Sequence, residues 1–158
     1  MALITTGGKF IKDLENYGAL AVHVPLEGGF EGRYRRRMRA KGYESLSITA
    51  RGLGDLSMYL MGVHGVRPPH LGKKSTGSGA CVGDVYYVPA IAGLQLENLP
   101  ANAKGLLLWI IEGFVLSSQE LQYLVMLAQT ESRLKIVVEL EGDRCFRWEP
   151  LKQAIVAA

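Results

Sequence analysis

The chain has 158 residues, a formal charge of +3 and a 48% hydrophobic residue content. That is the size of one ordinary domain and apolar enough to close a continuous core, which excludes a disordered chain. Two cysteines, Cys81 and Cys145, can supply neither the four thiolates of an iron–sulfur cluster nor a disulfide scaffold of the small secreted kind.

Met1–Thr6 is short and uncharged and does not read as a secretory leader. Phe10, Ile11, Leu14 and Tyr17 form one stripe, which predicts a helix over 10–17 stopped by Gly18. Leu20–Val24 reads as a strand ending at Pro25, and Glu27–Gly32, with three glycines, as a loop. A helix is expected over Tyr34–Lys41, ended by Gly42, then a strand over Leu46–Ala50 and an apolar helix over Leu53–Val63. Gly62–Gly83 is glycine-rich, contains Pro68 and Pro69 in tandem, and predicts a long irregular segment of the kind that is often functional. Val85–Val88 reads as a strand and Ile91–Leu99 as a short helix before Pro100. Gly105–Ile111 is a buried-strand pattern, too short at Glu112 to approach the roughly 20 apolar residues of a membrane-spanning helix. Ser117 and Glu120 form a capping box opening a helix to about Ala128. The β-branched run Leu134–Leu140 is a strand, Gly142–Asp143 a turn, and Arg144–Trp148 a strand expected to return antiparallel to it. A short helix or tail, 151–158, closes a single domain spanning 1–150. The fold class is α/β or α+β, with a mixed sheet and flanking helices.

The charge is concentrated. Arg33–Arg51 holds seven basic residues against one acid, so that segment carries +6 and the remainder −3. Arg67, His70, Lys73 and Lys74 make a smaller basic group. Within the main run Tyr34 and Met38 lie four apart, the spacing of a short helix with one apolar stripe and arginine heads in solvent or on another protein. A basic RNA-binding protein is the nucleic-acid alternative, but no zinc finger, paired RNP motif or GXXG loop supports it.

Candidate chemistry is sparse. Gly52-Leu53-Gly54-Asp55-Leu56-Ser57 has the glycine spacing of a dinucleotide turn, but Ser57 takes the final position and Asp55 would repel pyrophosphate. A helix start with Asp55 near free N–H groups explains it better. Gly77–Gly83 follows Lys73 and Lys74 but lacks the Gly-Lys-Ser/Thr ending of a phosphate loop. A soluble nucleotide-dependent oxidoreductase is therefore the enzymatic alternative. No nucleophile elbow surrounds Ser57, Ser75 or Ser78, Cys81 reads as a small buried hydrophobe, and His64 and His70 lack zinc-site spacing. Glu112 stands out because it ends a buried strand beside Gly113.

Longer strings are more specific. They are Leu26-Glu27-Gly28-Gly29-Phe30-Glu31-Gly32-Arg33-Tyr34, Ala50-Arg51-Gly52-Leu53-Gly54-Asp55, the run from Gly62 through Lys74, Trp109-Ile110-Ile111-Glu112-Gly113, and Asp143-Arg144-Cys145-Phe146-Arg147-Trp148. Through them the chain closely resembles subunit N of the photosynthetic NAD(P)H–quinone oxidoreductase complex of cyanobacteria and chloroplasts. The resemblance implies a non-catalytic accessory subunit of the hydrophilic arm, peripheral on the cytoplasmic or stromal side of the thylakoid membrane. It implies partners among subunits H, I, K, J, M, O and S, with plastoquinone and ferredoxin acting on the whole complex and electron transfer coupled to proton translocation. No cofactor is expected on this chain; the iron–sulfur clusters belong to subunits I and K. The absence of a transit segment before Met1 favours a cyanobacterial version. No catalytic or metal residue is assigned, and no direct nucleic-acid contact is expected. The interface candidates are Arg33, Arg35, Arg36, Arg39, Arg51, Arg67, His70, Lys73, Lys74, Glu112, Phe146 and Trp148.

Overall fold

The apolar run Gly105–Ile111 has no charged side chain to offer water, and it becomes an inner strand of a five-stranded mixed sheet. The computed structural model describes residues 2–25, 30–51, 56–61, 64–66, 86–88, 91–140, 142 and 145–157. In chain order the elements are α1 (Ala2–Tyr17), β1 (Ala19–His23), α2 (Phe30–Ala40), β2 (Tyr43–Thr49), α3 (Leu56–Met61), β3 (His64–Val66), β4 (Tyr86–Val88), α4 (Ile91–Glu97), β5 (Gly105–Ile111), α5 (Ser118–Thr130), β6 (Leu134–Leu140), β7 (Arg147–Pro150) and α6 (Leu151–Ala157). A single 3₁₀ turn, Gly113–Val115, follows β5.

The sheet order is β2-β5-β6-β1-β7. The first four strands are parallel, and β7 runs antiparallel to β1. The crossover from β1 to β2 travels across the sheet in the opposite direction to that from β5 to β6. Right-handed crossovers moving in opposite directions place their helices on opposite faces. Accordingly, α1 and α2 cover one face through Phe10, Leu14, Tyr34 and Met38, packed on Leu107, Trp109 and Val137. Helices α3 to α6 cover the other through Leu56, Leu60, Leu124 and Leu151, packed on Leu106, Leu108, Ile110, Ile136 and Val138. Strands β3 and β4 form a separate antiparallel pair.

Local signals account for most boundaries. Gly18 (φ 79°) and Gly42 (φ 101°) take the left-handed backbone that follows α1 and α2. The capping box at α5 is complete: the Ser117 hydroxyl accepts from the Glu120 N–H, and the Glu120 carboxylate accepts from the Ser117 N–H.

Three expectations change. The loop expected over Glu27–Gly32 gives way to helix at Phe30, because the buried Tyr34 and Met38 hold the first turn and exposed Gly32 offers no obstacle. The segment ending at Trp148 does not return along β6. Strand β6 already has β5 on one side and β1 on the other, so β7 takes the remaining edge of β1, with Trp148 opposite Val22. The helix expected from Phe10 starts at Ala2. The glycine turns of 52–55 and 77–83, including Cys81, lie outside the described residues.

A Cβ added at Gly105 would collide with the Arg133 carbonyl oxygen, a backbone atom in the turn leading into β6. Gly105→Ala is expected to destabilise the chain by about 2 kcal/mol, the ordinary cost of overpacking. Urea unfolding of the purified chain checks this; an unchanged midpoint would show that the turn yields freely.

Candidate interaction surface

Helix α2 builds the most strongly charged surface of the described chain. Its stripe, Tyr34 and Met38, is buried to 4% and 0% exposure, which fixes the helix on the sheet. Arg33, Arg36 and Arg39 lie exposed, followed by exposed Lys41. Arg35 is half-buried and its Nε donates to Ser45 Oγ on β2 at 2.7 Å. Arg37 and Arg39 fall in the last turn, where positive charge complements the helix dipole. Among the described residues, Arg36 and Arg39 meet no acidic partner.

Three acids bond to aromatic donors of the described chain. Glu15 accepts from the Tyr43 hydroxyl at 3.0 Å and lies 3.7 Å from Lys104 Nζ. Asp13 accepts from the Trp148 indole at 2.9 Å, and Glu139 from the Trp109 indole at 3.0 Å. These indoles belong to an aromatic cluster under α2. Tyr34 stacks on Phe146 with centroids 4.7 Å apart, and Phe10 meets Trp148 edge-on at 5.3 Å. Phe146 and Trp148 are half-buried, so each packs into this cluster while keeping part of its ring at the surface.

A second polar group sits at the carboxyl ends of the parallel strands. Glu112 takes a left-handed conformation (φ 58°) after β5 and accepts from Arg51 Nε at 2.5 Å. Both side chains are solvent-exposed, so the pair contributes at most about 1 kcal/mol. The Arg51 guanidinium also lies 5.9 Å from the ring centre of half-exposed Phe114. Beside it, a groove of about 430 Å³ is lined by His23, Phe114, Leu140, Arg147 and Glu149, with His23 Nε2 at 3.3 Å from Glu149 Oε1.

The structure thus brings Arg33, Arg35, Arg36 and Arg39 onto one helix and joins Arg51 to Glu112. Arg67, His70, Lys73 and Lys74 lie outside the described residues. Asp13, Glu15, Lys104 and Phe114 were not singled out by the sequence. The only signal for the acids is that a buried indole or phenol needs a polar partner.

Burial, aided by the bond to Glu15 and its charge, pushes the Tyr43 hydroxyl up from 10.0 to about 12. Burial likewise raises Tyr34, against the lowering effect of Arg33 and Arg37. A raised folded pKa means that Tyr43 contributes stability fully below pH 10.0 and loses it as pH rises toward about 12. Tyr43→Phe is therefore expected to be less stable than the parent at neutral pH by about 1 kcal/mol. The difference should shrink through the window above pH 10.0. Urea midpoints across that range check it. Trp148→Phe removes the bond to Asp13 along with ring area, and should cost about 2 kcal/mol by the same assay.

Comparison with known proteins agrees along nearly the whole length. The family model described as NADH-quinone oxidoreductase cyanobacterial subunit N matches residues 1–153. The chain is similar to a protein of Microcystis aeruginosa named NAD(P)H-quinone oxidoreductase subunit N, 66% identical over all of both chains. It is equally similar, at 66% over all of both chains, to the protein of that name from Trichodesmium erythraeum. The counterpart from a Nostoc species is 64% identical over all of this chain and 98% of its own. A match of this extent and identity means that the chain belongs to the subunit N family of the cyanobacterial NADH-quinone oxidoreductases.

Proposed function

We propose that this chain is a non-catalytic structural and assembly subunit of the hydrophilic arm of a thylakoid oxidoreductase that passes electrons from NAD(P)H or ferredoxin to plastoquinone. Membership of the family makes it a component of a multi-subunit quinone oxidoreductase. The finer role assigns electron transfer to iron–sulfur clusters in partner subunits I and K, with H, J, M, O and S as further neighbours, and couples it to proton translocation. This chain binds no cofactor in that scheme and sits peripherally on the cytoplasmic face. Among the described residues no helix is long and apolar enough to cross a membrane.

The observation that carries the assembly role is the construction of α2. Two buried side chains clamp it to the sheet while Arg36 and Arg39 project without an acidic partner among the described residues. An arginine surface on a rigidly held helix suits docking on carboxylates, because each planar guanidinium can make paired hydrogen bonds and the backbone that carries it needs no further ordering. Arg35 is tied to Ser45 and is the poorer choice for a test.

The experiment is native pull-down from thylakoid membranes, with peptide mass spectrometry of what accompanies the chain. Recovery of quinone-oxidoreductase subunits is expected. Arg36→Glu with Arg39→Glu should lower that recovery at least tenfold while the isolated variant keeps its circular dichroism. Normal assembly of the double variant would remove α2 from the interface. Saturable NAD(P)H binding by the isolated chain would favour the nucleotide-dependent oxidoreductase instead.

A further inference from the structure

We propose that the outer edge of β2 is a strand-addition site, and that its occupant is an extended acidic segment of a partner subunit, which becomes a sixth strand of the sheet. This rests on the chain acting as an assembled subunit.

The backbone parity of β2 is set by two bonds to the β5 side. The Ala50 N–H donates to the Ile111 carbonyl at 2.8 Å, and the Gly42 carbonyl accepts from the Lys104 N–H at 2.8 Å. Both are even positions, on either side of an unbroken parallel register from Tyr43↔Gly105 to Thr49↔Ile111. In an extended strand each residue aims its N–H and C=O to one side, and successive residues alternate. The odd positions, Tyr43, Ser45, Ser47 and Thr49, therefore aim theirs away from β5. Among the described residues no strand pairs along that side.

The opposite edge of the sheet is protected, and among the described residues this one is not. Strand β7 is four residues long, begins at exposed Arg147 and ends at Pro150, which has no N–H. Short length, charge and proline are the usual ways of blocking an edge. Strand β2 is seven residues long, contains no proline or lysine, and carries one charge, Glu44.

The charge selects the partner. Arg35 reaches Ser45, so its flank of α2 overhangs this edge; exposed Arg39, four residues on, shares that flank, and exposed Lys41 leads from the helix toward β2. A peptide presents N–H and C=O groups in alternation at the spacing of a strand, which a sugar–phosphate backbone does not. An acidic peptide meets both requirements.

Amide hydrogen exchange at single-residue resolution tests this on the full-length chain, alone and in the complex purified from membranes. Alone, the Ser45 and Ser47 amides should exchange at least tenfold faster than those of Leu46 and Ile48. In the complex they should slow at least tenfold. Slow exchange in both states would mean that the edge is already covered by this chain; fast exchange in both would mean that no strand adds. Either result overturns the proposal while co-purification leaves the assembly role standing. Loss of co-purification removes both. Ser47→Pro deletes an outward N–H and no bond to β5, so it should reduce incorporation at least tenfold with unchanged circular dichroism. If that variant misfolds, the exchange measurement on the unaltered chain decides. Carbodiimide treatment of the intact complex should join Lys41 to an Asp or Glu of another subunit. Ultraviolet cross-linking of this edge to RNA, or no carboxylate cross-link, overturns the acidic peptide.

Discussion

From Leu106 to Ile110 every side chain of β5 is fully buried, on both faces of the sheet. No position on that strand can be turned toward water, so layers of helix must cover each side. Leu107 and Trp109 demand the cover that α1 and α2 provide; Leu106, Leu108 and Ile110 demand α3 to α6. The direction of each crossover then decides which helix covers which face. Burial of one strand and the handedness of its neighbours' connections together generate the layered architecture.

The same burial fixes the positions of three acids. Trp109 can enter the core only if its indole finds an acceptor, and Glu139 supplies it. Trp148 and Tyr43 draw in Asp13 and Glu15 for the same reason. Three acids are thereby engaged with aromatic donors around the face that carries α2. Each carboxylate keeps its negative charge in such a bond, and the positive surface of α2 comes from its own arginines. A substitution such as Trp148→Phe therefore leaves the Asp13 carboxylate without its donor as well as removing ring area.

What was legible in the sequence follows from the range of the forces involved. Strand β5 declares itself through a continuous apolar run, β6 through its β-branched residues, and α5 through its Ser117–Glu120 capping box, because those signals are complete within a few residues. The amphipathic character of α2 is readable from Tyr34 and Met38 for the same reason. The placement of β7 is not, since its choice of β1 depends on β6 being occupied on both sides. Nor is the pairing of Trp148 with Asp13, which joins residues 135 positions apart. The basic run of the interaction surface could be found by composition, while the acids that accept from the aromatic donors required the fold.

Topology also explains why the charge lies at a sheet edge instead of over its middle. The crossover carried by α2 begins at β1, next to the protected edge strand β7, and must deliver the chain to β2 at the far edge. Helix α2 contacts β2 and α1, and Gly42 turns the chain directly from the helix into the strand. No residue between them can carry the arginines away from that edge. A basic helix placed on any inner strand would need its charges to project over covered backbone, where only side chains could recognise a partner. At β2 the arginines stand beside backbone groups that the sheet leaves unpaired among the described residues. Positive charge can then draw in an acidic segment while the strand sets its direction and register, two components of recognition that neither feature supplies alone.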